Sequence, residues 1–183
     1  MGSLADDPIH AELDALLAPH HGALGADATA YIGHVHRMAG LVLAQEPAPG
    51  WEPDARGQLV VAAVFHDLGI WLDGTFDYLD PSAAHAADHL RTTGRDAWIS
   101  RVDRMIQRHH QLRPIRDDAL VEAFRRADLA DLTFGRVRSG IPRGAWRELR
   151  GHWPVAGFQK RLAQLTVAQA RQHPLKPLPM LRW

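Results

Sequence analysis

Cysteine is absent from the 183 residues, which removes disulfides, thiolate nucleophiles and sulfur-ligated zinc together. Any bound metal must be held by oxygen and imidazole. Net charge is missing too, since 21 Lys plus Arg balance 21 Asp plus Glu. No overall field recruits a polyanion, and neither a nucleic-acid polymer nor a membrane is expected as partner. No segment approaches the roughly 18 apolar residues of a membrane span, and the opening MGSLADDPIHAELDALL has no basic stretch ahead of an apolar run. A cytoplasmic protein is the expectation. Internal repeats, low-complexity tracts and alternating runs long enough to require a sheet are also lacking.

What is present reads as one helical domain over residues 1–183, with 46% hydrophobic and 23% charged residues, the balance of an ordinary globular chain. Apolar spacing predicts a short helix from Pro8 to Leu17, capped by the preceding Asp residues, and a longer one over 25–46 ended by Pro47, Pro49 and Gly50. The run ARGQLVVAAVFHDLG is apolar almost all round, as in a helix at the middle of a bundle. Ile70 to Pro81 reads as a loop, followed by a helix from about Ser82, its cap, to Thr93. Further helices are expected over Asp96–His110, Asp117–Phe134, Pro142–Leu149 and Gly157–Arg171, with Pro114 interrupting after the first. The tail HPLKPLPMLRW should lie extended on the surface.

Histidine is the anomaly: there are 12, where ordinary usage near 2% would supply about four. His10, His20, His21, His152 and His173 read as surface residues. His66 and Asp67 differ, because they end a strongly apolar helix and would cost roughly 2 to 7 kcal/mol each if buried unpaired. A metal ion is a fitting partner. Adjacent helical residues point about 100° apart, so the pair binds one ion only where the helix ends, as Gly69 suggests, or else Asp67 bridges two ions. His34 and His36 lie in the preceding helix, His109 and His110 close a later one, and Asp128 sits in an apolar stretch. Bundles build metal sites by such convergence from separate helices.

The segments His34-Val-His-Arg-Met, Val64-Phe-His-Asp-Leu-Gly and Arg126-Ala-Asp-Leu resemble, in order and spacing, the three signature stretches of the HD-domain superfamily. The resemblance covers about residues 25–135, leaving 136–183 as a helical appendage and tail. It implies an all-α, HD-domain-like helical bundle in which His34, His66, Asp67 and Asp128 ligate metal. Members with two ions place two more histidines in between. His85 or His89 can supply the first and His109 or His110 the second, and we favour His85 and His109. Many members follow His-Asp-Leu-Gly with a lysine that holds an anionic substrate, whereas here the residue is Ile70. Arg113 or His110 can supply that positive charge. Asp73, Asp77 and Tyr78 either line the entrance or are solvated. Arg37 is expected to pair with a carboxylate behind the site, and Asp131 either fixes the tautomer of a ligand histidine or is a solvated charge. The tryptophans are assigned to core and tail packing.

The activity implied is hydrolysis of a small phosphate ester or nucleotide by metal-activated water, with Asp67, His66 and Arg113 as catalytic residues and one or two Mn, Fe, Co, Ni or Mg ions as cofactor. The ligand order also resembles that of diiron HD-domain oxygenases, which act on inositol and phosphonates. A metal- or ligand-binding regulatory domain without turnover is the third class.

Overall fold

A computed structural model describes residues 3–45, 54–175 and 178–181. All regular elements among them are helical. In chain order they are α1 (Ile9–Leu17), α2 (His21–Leu24), α3 (Ala28–Leu43), α4 (Ala55–Phe65), α5 (Gly69–Leu72), α6 (Leu79–Thr92), α7 (Ile99–Arg108), α8 (Ala119–Leu132), α9 (Arg143–His152) and α10 (Phe158–Gln172). Pro47, Pro49 and Gly50, expected to end α3, lie outside the described residues, as do 176–177 and 182–183 of the tail. No helix among the described residues is long and apolar enough to cross a membrane.

Two helices are covered on nearly every side. In α3 every residue from Gly33 to Leu43 is buried, and in α4 every residue from Gln58 to Phe65. Such all-round burial matches the nearly unbroken apolar run of α4, whereas α3 buries His34, His36 and Arg37 along with its apolar residues. Around them, α3 packs on α8 and α9, α4 on α1, α6 and α7, and α6 and α7 lie against each other. Helix α7 contributes a stripe at i, i+3 and i+4 spacing, Val102, Met105 and Ile106. Asp118 caps α8, its carboxylate accepting from the backbone N–H of Leu120 at 3.0 Å and Val121 at 3.2 Å.

Three local expectations are corrected. Helix α6 starts at Leu79 instead of Ser82, because Pro81 falls in the first turn, where its missing N–H breaks no helical bond. Ser82 is therefore no cap: it is buried, and its Oγ accepts from the N–H of Gly69 at 3.0 Å. The stretch taken as loop from Ile70 opens with the single turn α5, and Ile70, Phe76, Tyr78 and Leu79 form a small apolar cluster with Met180 of the tail. His10, read as a surface residue, is buried, with its Nδ1 2.9 Å from Nδ1 of His36 and its Nε2 3.0 Å from the Leu4 carbonyl. These contacts dock the N-terminal segment on α3.

On α8, Glu122 is 6% exposed and takes hydrogen bonds from Arg125 (2.8 Å to each oxygen), Arg126 (2.7 Å) and the N–H of Ile115 (2.9 Å). Burial pushes its carboxyl up, but the Arg125, Ile115 and Arg126 bonds outweigh this and hold it at about 2. A carboxylate depressed from 4.5 stabilises the fold above pH about 4.5 and stops doing so as pH falls toward 2. The stability gap between wild type and Glu122→Gln, measured by urea unfolding, should accordingly be full at neutral pH and close across that window. A second prediction concerns Gly69, where an added Cβ would lie 2.9 Å from the Tyr78 carbonyl oxygen and 3.0 Å from the Ser82 nitrogen. Backbone cannot step aside as a side chain can. Gly69→Ala should lower the unfolding free energy by about 1 to 3 kcal/mol, despite the roughly 1 kcal/mol gain in helix propensity. An unchanged denaturation midpoint would contradict this packing.

Candidate metal centre

Helices α4 and α7 end in the same way. The C-cap of each is a histidine, His66 and His109, at the point where the last-turn carbonyls lose their helical donors. Each imidazole supplies a donor to the carbonyl three residues back: Nδ1 of His66 lies 2.8 Å from the Ala63 oxygen, and Nδ1 of His109 lies 2.7 Å from the Ile106 oxygen. A carbonyl only accepts, so both Nδ1 atoms carry hydrogen and both Nε2 atoms face away into the protein.

The third imidazole is oriented from α8. Nδ1 of His34 lies 2.8 Å from Oδ2 of Asp131, whose carboxylate is gripped by Arg37 through Nε (2.6 Å) and Nη2 (2.8 Å). Arg37 is wholly buried, and its Nη1 also donates to the Trp153 and Pro154 carbonyls at 3.0 Å each. Burial would raise the Asp131 carboxyl, but the bonds from Arg37 and His34 hold it below the usual range. As an anion it only accepts, so Nδ1 of His34 also carries hydrogen.

The consequence is a crowding of acceptors that an added positive charge, a proton or an ion, relieves. Nε2 of His34 lies 3.0 Å from Nε2 of His66 and 3.4 Å from Oδ1 of Asp128. Neutral imidazoles would point lone pair at lone pair, with a carboxylate oxygen beside them. Asp67 places Oδ2 3.4 Å from Nε2 of His66 and Oδ1 3.4 Å from Nε2 of His109, while Oδ2 of Asp128 lies 3.4 Å from Nδ1 of His110. Oδ1 of Asp67, Nε2 of His109 and both oxygens of Asp128 are buried without a hydrogen-bond partner. Such an array could hold a metal ion at its centre.

Electrostatics agree. Burial would lower His34, yet the Asp128 and Asp131 carboxylates beside it raise it to about 9. His109 is raised likewise, the neighbouring Asp67 and Asp128 carboxylates outweighing burial. His66 and His110 are pushed down to about 4, mainly by burial, and stay neutral donors. The spacing suits a metal: ligands about 2.1 Å from an ion lie about 3.0 Å apart along an octahedral edge and about 3.4 Å apart along a tetrahedral one. Three groups could hold such an ion: His34, His66 and Asp128; His66, Asp67 and His109; and His109, His110 and Asp128. The walls are aromatic, with Phe158 stacked on His34 at 4.1 Å and Phe124 edge-on to His66 at 5.7 Å. Gly157, in the left-handed conformation (φ 86°), turns the chain into α10 and delivers Phe158 there.

Of the residues singled out from the sequence, His34, His66, Asp67, His109 and Asp128 come together, and His110 joins them. His85 and His89 do not. Helix α6 buries Leu79, Ser82, Ala83, Ala86 and Leu90, and the two histidines flank that face, partly exposed. Nε2 of His85 meets Oδ2 of Asp73 at 2.8 Å, and His89 lies beside Phe65, 5.6 Å between centroids. Arg113 is exposed in the loop beyond His110, outside the cluster. Asp77 is exposed, whereas Tyr78 is buried with its hydroxyl 2.8 Å from Nε2 of His110. Its burial and that of Phe158 had no motif to announce them. The adjoining Leu79 was the only local hint for Tyr78.

No protein-family model, curated protein or solved structure matches the chain.

Asp131→Asn isolates the support behind His34. The substitution leaves Arg37 without a full counter-charge and should cost about 3 to 5 kcal/mol of stability. It should also weaken Mn²⁺ binding about 10- to 100-fold, because His34 loses the group that fixes its ring. Chelator-treated unfolding curves and Mn²⁺ titration calorimetry measure the two effects separately.

Proposed function

We propose that this chain is an HD-type, metal-dependent hydrolase of a small phosphate ester or nucleotide. The observation that carries the reading is the convergence of imidazole lone pairs and unpartnered carboxylate oxygens from α3, α4, the α7 end and α8. The order His34, His66-Asp67, Asp128 along the chain supports the family, and the all-helical architecture suits it. The set fits Mn, Fe, Co or Ni through its mixed nitrogen and oxygen donors, with Mg less well served by imidazole. His34, His66, Asp67 and Asp128 would hold the ion, joined by His109. When bound, such an ion brings the pKa of a coordinated water toward neutrality and offsets charge on phosphoryl oxygens.

The residues do the rest. Asp131 with Arg37, the Ala63 carbonyl and the Ile106 carbonyl keep the imidazole rings in place, so no reorganisation is needed when substrate arrives. Oδ1 of Asp67, buried and unpartnered, is the oxygen free to accept a hydrogen bond from the attacking water and orient it. Phe158 and Tyr31 exclude bulk water from the His34 side. The burial of the donors restricts the substrate to a small molecule.

Elemental analysis followed by a screen of nucleotides and phosphate esters tests the reading. Metal-dependent phosphate release without oxygen consumption is expected, with Asp67→Ala losing both metal and activity. Unchanged metal content in Asp67→Ala would remove the ligand assignment. Iron accompanied by substrate-dependent oxygen uptake would replace hydrolysis with the oxygenase reading.

A further inference from the structure

We infer that the turn after α8 and the outer face of α9 form one basic surface that docks on an anionic lipid bilayer, with Phe134 and Val137 entering it between arginines. The even balance of charge over the whole chain conceals a segregation. Residues 132–183 hold ten of the 21 Lys and Arg but only Glu148 of the 21 Asp and Glu, an excess of nine positive charges that the first 131 residues offset. Charge divided so unequally along a chain points to an anionic partner for the basic part, whatever the sum. Glu148 does not neutralise its neighbours, because its Oε1 accepts from Oγ of Ser3 at 2.8 Å and from the Leu4 N–H at 2.6 Å.

Five arginines share this surface. Arg143, Arg147 and Arg150 follow i, i+4 and i+7 spacing along α9 and are all exposed, while Ala145, Trp146 and Leu149 are buried. Trp146 joins the stripe to the turn: the Arg150 guanidinium lies over its ring at 5.2 Å, and a Cβ at Gly135 would fall 2.7 Å from its Cδ2. Arg136 and Arg138 belong to that turn. The first is exposed with its guanidinium 5.9 Å from the Phe134 ring centroid, and the second, half-buried, donates to the Gly135 carbonyl. Among the described residues none of the five is paired with a carboxylate. All are arginine, the side chain whose fork of donors matches phosphate oxygens.

The apolar residues decide which phosphate surface fits. Phe134 is 42% exposed and Val137 43%. Phe134 also takes φ 55°, in the left-handed region that a residue with a Cβ disfavours, and Gly135 follows at φ 71°. A strained backbone that holds an aromatic ring in water points to a functional turn. A bilayer accounts for it, since the ring and the valine leave water for the acyl boundary while the guanidinium groups stay at phosphate depth. A nucleic acid calls for a groove-filling element or several stacking rings. Here the groups lie on the outside of a turn and a helix, and Phe134 is the one exposed Phe, Tyr or Trp of the described residues. A second copy of the chain, paired about a two-fold axis, would set this charge against itself.

The test is sedimentation of the full-length protein with vesicles of phosphatidylcholine, alone or with about one third phosphatidylglycerol. Wild type should pellet with the mixed vesicles only, and release them as salt approaches about 1 M, where screening acts over about 3 Å. Arg143→Gln combined with Arg147→Gln should weaken partition about 25-fold, at about fivefold per arginine. Phe134→Ala should weaken it about tenfold, and neither variant should lose stability to urea. Because the chain has no cysteine, an environment-sensitive dye on Val137→Cys reports insertion directly. Its emission should shift to the blue with mixed vesicles, while the same dye on Ala84→Cys, exposed on α6, should not respond. Equal pelleting with pure phosphatidylcholine, or full partition retained by the double arginine variant, overturns the proposal. So does tighter retention by single-stranded or duplex DNA than by the vesicles, which assigns the surface to a nucleic acid. Self-association without vesicles that the double variant abolishes overturns it too, in favour of a second copy.

Discussion

The buried contact between Asp131 and Arg37 is the constraint on which the site depends. A fully buried guanidinium is tolerable only if its charge and donors are met, and here Asp131 and two backbone carbonyls meet them. The same carboxylate keeps one oxygen for His34, so satisfying Arg37 and orienting His34 are one arrangement. Because Arg37 reaches the Trp153 and Pro154 carbonyls, it also ties α3 to the turn that leads into α10. Phe158 is thereby brought over the imidazole whose far nitrogen Asp131 has fixed. Position 33 leaves little slack: a Cβ there would lie 3.0 Å from Nη1 of Arg37 and 3.1 Å from the Pro154 oxygen.

A second regularity is the use of helix ends. His66 and His109 each compensate the loss of a helical donor with their own rings and so aim Nε2 away from the helix at no further cost in buried polar groups. The residue after each histidine, Asp67 or His110, is released from helical geometry and can turn toward the same space. Two abrupt endings therefore deliver four of the six donors. His34 and Asp128, in contrast, come from helix interiors, where Asp128 shares a face with Asp131 one turn on.

This division explains how much was legible in the sequence. Apolar periodicity marked α1, α3, α4, α7 and α8, since each buries a stripe or nearly its whole surface. The grouping of His34, His66, Asp67 and Asp128 was anticipated from polar side chains standing inside apolar runs, where burial demands a partner, together with the HD-domain resemblance, which also brought in His109. Arg37 was expected to pair with a carboxylate, whereas Asp131 was left open between fixing a histidine and being solvated. Around α6 the reading failed. The start of that helix was hidden by a proline that the first turn accommodates, and its histidines sit at the edge of the buried face, where spacing cannot tell inward from outward. His10 was misjudged because its partners, His36 and the Leu4 carbonyl, come from the docking of segments that no local pattern relates. Phe158 lies 124 residues from His34, and its stacking is a product of the fold alone.

Burial also sets the direction from which the cluster can be reached. His34, His66, Asp67, His109 and Asp128 are each no more than 2% exposed, whereas the His110 side chain retains 13%. Solvent therefore touches the donor set at the end of α7. The loop that begins there carries Arg113, exposed and outside the cluster. Among the described donors His110 is the most exposed, and the Tyr78 hydroxyl lies 2.8 Å from its Nε2. Tyr78 is itself 1% exposed, so its hydroxyl holds the outer nitrogen of His110 from within the core.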